Sequence, residues 1–272
     1  MNPDNFTLIT GASMGIGLAL AQEFSTHGHS LILVARSGEK LRSIKNEIIS
    51  KYQVRVEILI KDLSKPSAAK ELFEEIRLKG WDVDILVNNA GFGLFGYFAD
   101  ENLHEEMEMI QLNVATLTEL TKRFLEPMRQ QKVGKILNVA STAAFQAGPM
   151  MAIYYATKAY VLSFSEAIAN ELKGTGVTVS CLCPGPTISE FQKRARINMQ
   201  IPLFKAARVM TAEAVARIAY RGLMKGKTVI LPGISNKISP LGARLLPRKW
   251  VTSIVRFLQE TMKAHSSKSG TL

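Results

Sequence analysis

The sequence predicts an α/β protein: a doubly wound parallel sheet of about seven strands, helices on both faces, and a helical extension at the C-terminus. Three observations carry this. Short β-branched runs alternate with longer amphipathic stretches as far as residue 232, which is the order of successive βαβ units. The runs are apolar nearly throughout rather than alternating, as expected when both faces of a sheet are covered. Glycines cluster where the first run meets the first amphipathic stretch, in "TGASMGIG".

The strands, in order, are "FTLIT" (6–10), "SLILVA" (30–35), "VRVEILI" (54–60), "DILVNN" (84–89), "GKILNVA" (134–140), "VTVSCL" (177–182) and "KTVILP" (227–232). Helices are expected between and after them at about 15–28, 38–52, 66–79, 101–130, 151–173 and 211–225. No Pro/Ser/Gly linker divides the chain and no repeat period is present, so residues 1–232 are expected to form one domain. Two segments break the rhythm. Residues 186–210 follow a strand end and mix large apolar with basic residues. Residues 233–272 follow the last strand, interrupted by Pro240 and Pro247, and are expected to pack on the same domain as a basic amphipathic extension.

With 272 residues, 47% hydrophobic and 21% charged, the chain has an ordinary globular composition and enough apolar residues for a sizeable core. No run is long enough to cross a bilayer. "MNPDNFTLITGAS" enters a strand almost at once, leaving no room for a signal peptide, so a cytoplasmic protein is expected. Cys181 and Cys183 share one face of a buried strand, where a disulfide would be strained, and two thiols make a poor metal site. Buried reduced thiols and no metal are expected. The net charge of +11 is uneven: residues 1–192 hold 18 Lys and Arg against 21 Asp and Glu, while residues 193–272 hold 16 against 2. A basic tail suits nucleic acid or anionic membrane. No zinc-finger spacing or aromatic–basic RNA signature accompanies it, so no specific nucleic-acid partner is expected.

The chemistry lies at strand ends. Gly11, Gly15 and Gly17 sit where the first strand turns into a helix, a place where backbone can approach a pyrophosphate held on the helix N-terminus. An acidic residue about 20 positions later would bind the adenosine ribose. Here Ala35 and Arg36 stand 18 and 19 residues after Gly17. With no carboxylate to repel a 2′-phosphate and a guanidinium able to hold it, NADP(H) is the expected cofactor. "LVNNAG" (86–91) ends the fourth strand and faces the same crevice. Ser141 and Thr142 end the fifth strand, where a hydroxyl can donate to a carbonyl oxygen or simply cap a turn. "YYATK" (154–158) follows. On a helix both Tyr154 and Tyr155 can share a face with Lys158, whose ammonium would favour the phenolate.

Gly11-x-x-x-Gly15-x-Gly17, Asn88-Asn89-Ala90-Gly91, Ser141, Tyr154-x-x-x-Lys158 and Pro184-Gly185 together resemble the short-chain dehydrogenase/reductase family, in order, over residues 6–232. The resemblance implies a single-domain Rossmann-type fold and a reductase of carbonyl groups. It selects Tyr154 as the group that exchanges a proton with the substrate oxygen. Lys158 would lower the tyrosine's pKa and hold the nicotinamide ribose, Ser141 would polarise the carbonyl, and Asn113 would support a water relay to Lys158. Gly11, Ser13, Gly15, Ile16 and Gly17 would cradle the pyrophosphate. Asp62 and Leu63 would lie by the adenine, Asn89, Ala90 and Gly91 along the cofactor, and Pro184, Gly185 and Thr187 beside the nicotinamide. Ala140 stands where many relatives carry another serine. The family also implies a homodimer or homotetramer through the long helices at 101–130 and 151–173.

Phe92, Phe95, Phe145, Met150 and Met151, with Ile188, Phe191, Met199, Ile201, Leu203 and Phe204, are expected to line an apolar substrate pocket, the last six in the segment that covers the substrate in this family. Such a pocket favours an acyl-chain or steroid-like ketone, aldehyde or alcohol. Lys193, Arg194 and Arg196 could hold an acidic carrier or be solvated. In "RKWVTSIVRFLQETMKAH", Val251, Ile254, Val255, Leu258 and Met262 form one helical face and Lys249, Arg256 and Lys263 another. This pattern suits packing on the protein, with weak peripheral membrane contact as the other reading. The leading expectation is an NADPH-dependent carbonyl reductase. The alternatives are a non-catalytic NADP(H)-binding sensor and a membrane-associated 3-oxoacyl-type lipid reductase.

Overall fold

In a computed structural model, residues 5–188, 209–233, 236, 242 and 245–268 are described. The chain alternates β1 (Asn5–Thr10), α1 (Gly15–Thr26), β2 (Ser30–Ala35), α2 (Gly38–Tyr52), β3 (Val56–Ile60), α3 (Ala68–Leu78) and β4 (Asp82–Asn88). It continues through α4 (Leu103–Ile110), a π turn (Gln111–Thr116), α5 (Leu117–Gln131), β5 (Gly134–Val139), a 3-10 turn (Thr142–Phe145), α6 (Ala152–Glu171) and β6 (Val177–Leu182). It ends with β7 (Thr187–Ile188), β8 (Met210–Thr211), α7 (Ala212–Met224), β9 (Val229–Ile230) and α8 (Arg248–Lys268).

Seven strands form one parallel sheet in the order β3-β2-β1-β4-β5-β6-β9. The order runs outward in both directions from β1 and β4, so a crevice opens beyond the carboxyl ends of those two strands. Neighbouring residues on each strand feed opposite faces. Leu8, Leu86 and Ile136 join α3, α4 and α5 residues such as Leu72, Met109 and Phe124 in one core. Ile9, Val87 and Leu137 join α1, α2 and α7 residues such as Leu20, Leu41 and Val215 in the other. This two-sided burial is why the strands are apolar without alternation.

A buried polar chain crosses the sheet near the crevice. Asn88 Nδ2 donates to Thr121 Oγ1 and to Asn138 Oδ1, both at 2.9 Å. Asn138 Nδ2 in turn donates to Ser165 Oγ at 3.0 Å. These bonds tie β4 and β5 to α5 and α6, fixing both helices against the sheet.

The structure departs from the sequence expectation in four places. The helix expected over 101–130 is broken by the π turn into α4 and α5. The last strand keeps only Val229–Ile230 of the expected 227–232. β7 and β8 make a separate two-stranded parallel ladder, too short to leave a periodicity. In the extension, α8 runs unbroken for 21 residues after Pro247. Its buried residues include Val255 and Gln259, while Ile254, expected on that face, is exposed. No described helix is long and apolar enough to cross a membrane.

Candidate active site

The glycine turn is built as a cradle. Gly11 and Gly15 take φ of +66° and +55°, a region that side chains disfavour. A Cβ on Gly17 would stand 2.2 Å from the Gly11 carbonyl oxygen, so only glycine lets α1 start this close to β1. Met14 caps α1 without any side-chain hydrogen bond, and the first turn carries no acidic residue. The N-terminal N–H groups and dipole of α1 therefore suit an anion.

Asn89 braces this turn from β4. Its Nδ2 donates to the carbonyls of Thr10 (2.9 Å) and Gly11 (3.2 Å). The backbone N–H groups of Asn89 and Ala90 both donate to Thr10 Oγ1 at 3.0 Å. The Asn-Asn pair thus divides its work, Asn88 across the sheet and Asn89 under the glycines.

Arg36 follows β2, exposed at the crevice rim. Across from it, burial pushes the Asp62 carboxyl up. Hydrogen bonds from the Ser64 N–H (3.1 Å) and hydroxyl (2.8 Å), with Arg36 and Lys65 nearby, outweigh this and hold it below the usual range. Leu63 is buried, and its carbonyl accepts from Thr116 Oγ1 at 2.8 Å.

Ser141 sits between β5 and the 3-10 turn. Its Oγ accepts from the Ala143 N–H at 3.1 Å, as a turn cap would, and it also hydrogen-bonds the Tyr154 hydroxyl. The capping reading of this hydroxyl is thus present in the fold. α6 then carries Tyr154 and Lys158, both buried. Burial pushes the Tyr154 hydroxyl up to about 12; the Ser141 hydrogen bond opposes this and Tyr155 adds to it. Burial lowers the Lys158 ammonium to about 8, opposed by Cys181 and Cys183. Lys158 Nζ donates to the Val139 carbonyl at 2.9 Å and lies 5.7 Å from the Tyr154 ring centroid. Burial is thus the largest influence on the Tyr154 hydroxyl.

Asn113 lies in the π turn, buried behind the others. Its Oδ1 accepts from the Phe92 N–H at 3.1 Å, and its Nδ2 donates to the Phe92 carbonyl (2.9 Å) and Thr157 Oγ1 (3.2 Å). The carboxamide thereby positions the chain at Phe92 and the residue before Lys158.

Gly11, Ser13, Gly15, Ile16, Gly17, Arg36, Asp62, Leu63, Asn89, Ala90, Gly91, Ser141, Tyr154, Lys158, Pro184, Gly185 and Thr187 all line one cavity of about 580 Å³. Asn113 does not line it. Of the expected apolar lining, Met151 reaches the cavity; Phe92 and Met150 are buried in packing, and Phe95 and Phe145 lean on the hydrophobic clusters. Phe191, Met199, Ile201, Leu203, Phe204, Lys193, Arg194 and Arg196, and the side chains of Ile188 and Met262, lie outside the described residues. The sequence missed Tyr155, Val255, Leu258 and Gln259 as lining. The Tyr155 hydroxyl accepts from Gln259 Nε2 at 3.1 Å. Only the polar residue interrupting the apolar face of α8 signalled this in advance. Cys181 and Cys183 are free thiols, both buried.

A crevice at the point where the strand order reverses, with a glycine cradle and an uncapped helix start, defines a dinucleotide-binding α/β protein, and the cradle fits such a cofactor. Residues 5–200 match the family model described as short chain dehydrogenase, and the chain belongs to that family. It is 36% identical over 203 residues to hydroxysteroid dehydrogenase-like protein 1 of Gallus gallus, covering 73% of this chain and 60% of that protein. It is 30% identical over 203 residues to very-long-chain 3-oxoacyl-CoA reductase of Anas platyrhynchos, covering 72% of this chain and 64% of that one. The chain thus matches less than two thirds of the length of these relatives. Among solved structures, a short-chain dehydrogenase from Sphingobium yanoikuyae in complex with NADPH superposes with a TM-score of 0.79 at 32% identity, covering 88% of this chain and 93% of that chain.

Proposed function

We propose that this protein is an NADPH-dependent carbonyl reductase that converts an apolar ketone or aldehyde to an alcohol. The observation that carries the reading is the gathering of Ser141, Tyr154 and buried Lys158 along the wall of one cavity whose rim holds Arg36. The names of the relatives, a hydroxysteroid dehydrogenase-like protein and a 3-oxoacyl-CoA reductase, support the substrate class. The NADPH complex of the similar structure supports the cofactor.

Bound along the glycine cradle, the cofactor supplies hydride to the carbonyl carbon. With its hydroxyl pushed up to about 12, Tyr154 is protonated at neutral pH and is a proton donor. The Ser141 hydroxyl holds the substrate oxygen as negative charge develops on it. When Tyr154 gives up its proton, the Ser141 hydroxyl and the Lys158 ammonium are the groups that stabilise the phenolate. Asn113 keeps Phe92 and Thr157 in place around Lys158. Arg36 takes the 2′-phosphate, where the absence of a carboxylate at residues 35 and 36 avoids repulsion.

A panel of ketones, aldehydes and acyl thioesters with NADPH oxidation as readout tests the reading. NADPH binding without oxidation by any of them would turn it into an NADP(H)-binding sensor. Arg36→Asp is expected to lower kcat/KM for NADPH about a hundredfold more than for NADH, the scale of a lost charge-assisted contact plus a new repulsion. Equal losses for both cofactors would remove Arg36 from phosphate recognition.

A second reading has its own observation. Trp250, Ile254 and Phe257 of α8 are 65%, 52% and 69% exposed, next to Arg248 and Lys249. An apolar stripe flanked by cations suits an anionic membrane surface. Flotation with phosphatidylserine liposomes is expected to be weaker for Trp250→Ala/Phe257→Ala than for the parent; absence of the parent from the floated fraction ends this reading.

A further inference from the structure

α8 lies beyond the residues that match the family model, yet it contributes a wall to the reactive cavity through Val255, Leu258 and Gln259. Two of these are apolar. The third is a carboxamide only 5% exposed. Gln259 Nε2 donates to the Tyr155 hydroxyl at 3.1 Å, and its Oε1 is enclosed with no partner among the described residues. A primary amide has two donors and a carbonyl, so Tyr155 uses only part of its capacity. Nε2 has a second proton to give to an acceptor in the cavity, whereas the enclosed Oε1 is itself an acceptor and takes no part in holding a carbonyl oxygen. The helix is anchored for this placement: the Tyr97 hydroxyl donates to Glu260 at 3.2 Å, and Lys263 stands over the Tyr97 ring at 4.4 Å.

Tyr155 connects the amide to the reacting centre. Its ring meets that of Tyr154 edge-on, centroids 6.2 Å apart, and both rings line the cavity. A phenol that accepts from Gln259 still has its own proton to donate. The two tyrosines therefore line one cavity side by side, with the Tyr155 hydroxyl held by Gln259.

We infer that Tyr155 and Gln259 form a donor pair for a second substrate oxygen close to the reacting carbonyl, and so select a 3-oxo ester or thioester over a simple ketone. The inference rests on the carbonyl-reductase reading above and sharpens its substrate class. In the bound substrate the 3-oxo oxygen lies against Tyr154 and Ser141, and the ester carbonyl oxygen accepts from the Gln259 N–H or the Tyr155 hydroxyl. The acyl chain runs along Val255 and Leu258.

The test compares ethyl 3-oxohexanoate with 1-ethoxyhexan-3-one, which lacks only the second carbonyl. The parent is expected to favour the 3-oxo ester in kcat/KM. Gln259→Met, close in shape but without the amide, is expected to lower the ratio of the two kcat/KM values about tenfold, the worth of one hydrogen bond. Tyr155→Phe should move the ratio the same way. If both substrates lose equally, Gln259 only holds α8 in place and the inference is overturned. Binding gives a separate arm: calorimetry of both compounds on the NADPH complex of Tyr154→Phe, with and without Gln259→Met. The same shift in the ratio of dissociation constants supports the donor pair even where the parent reduces neither compound, an outcome that defeats the reductase reading alone. An unchanged ratio, or no binding of either compound, overturns the pair.

Discussion

Tyr154→Phe is expected to lower kcat for carbonyl reduction by about 10²–10⁴-fold, the usual worth of a positioned general acid. NADPH affinity should stay close to the parent's, because the glycine cradle, Arg36 and Lys158 remain. The sequence placed two phenols within reach of Lys158 and could not separate them by spacing. Their partners separate them: Tyr154 bonds Ser141, and Tyr155 bonds Gln259 from another helix. Tyr155→Phe is accordingly expected to cost less than about tenfold on a simple ketone, far below the general-acid loss. Steady-state kinetics of the two variants side by side, with NADPH binding followed by fluorescence, provides the check. A larger loss in Tyr155→Phe would move the reacting oxygen to Tyr155.

Lys158→Met should abolish turnover and stabilise the fold at neutral pH. Burial lowers the Lys158 pKa from 10.5 to about 8. Between pH 8 and 10.5 the unfolded chain therefore binds more protons at this residue than the folded one, and stability rises with pH across that window. Below pH 8 the folded protein carries the full cost of a buried ammonium. Removing the charge relieves on the order of 3 kcal/mol. Losing the bond to the Val139 carbonyl returns about 1 kcal/mol. A net gain of roughly 2 kcal/mol at pH 7 corresponds to a rise in Tm of about 4–8 °C in a protein of this size. Tyr154, whose hydroxyl is pushed up to about 12, has the opposite slope between pH 10 and 12, so the comparison belongs below pH 10. Thermal unfolding from pH 7 to 9.5 should show a rise with pH in the parent and a flatter profile in Lys158→Met. A variant less stable than the parent at pH 7 would mean that the ammonium is compensated by contacts other than Val139.

What the sequence made legible was local. A glycine turn, a strand-end serine and a Tyr-x-x-x-Lys repeat on one helix are each defined within a few residues, and the structure gathers them in one cavity. What it left illegible depends on contacts between distant segments. Gln259 meets Tyr155 across 104 positions, and no periodicity in α8 says which helix it will face. Phe92, Phe95, Phe145 and Met150 were expected in the pocket because they neighbour catalytic residues, but apolar side chains beside a pocket also build the core beneath it. Asn113 shows a further limit. Its position was recognisable, but its task depends on the π turn that aims the carboxamide at Phe92.

The division of labour between α6 and α8 also bears on how this scaffold changes hands between substrates. The proton-handling groups sit on elements tied into the sheet through Asn88, Asn138 and Ser165. Another part of the cavity wall belongs to α8, which among the described residues is held by polar contacts to Tyr155 and Tyr97. Mutations in α8 can therefore reshape selectivity with little disturbance to catalysis, and a randomised library over residues 251–263 is the economical starting point for evolving new substrates on this framework.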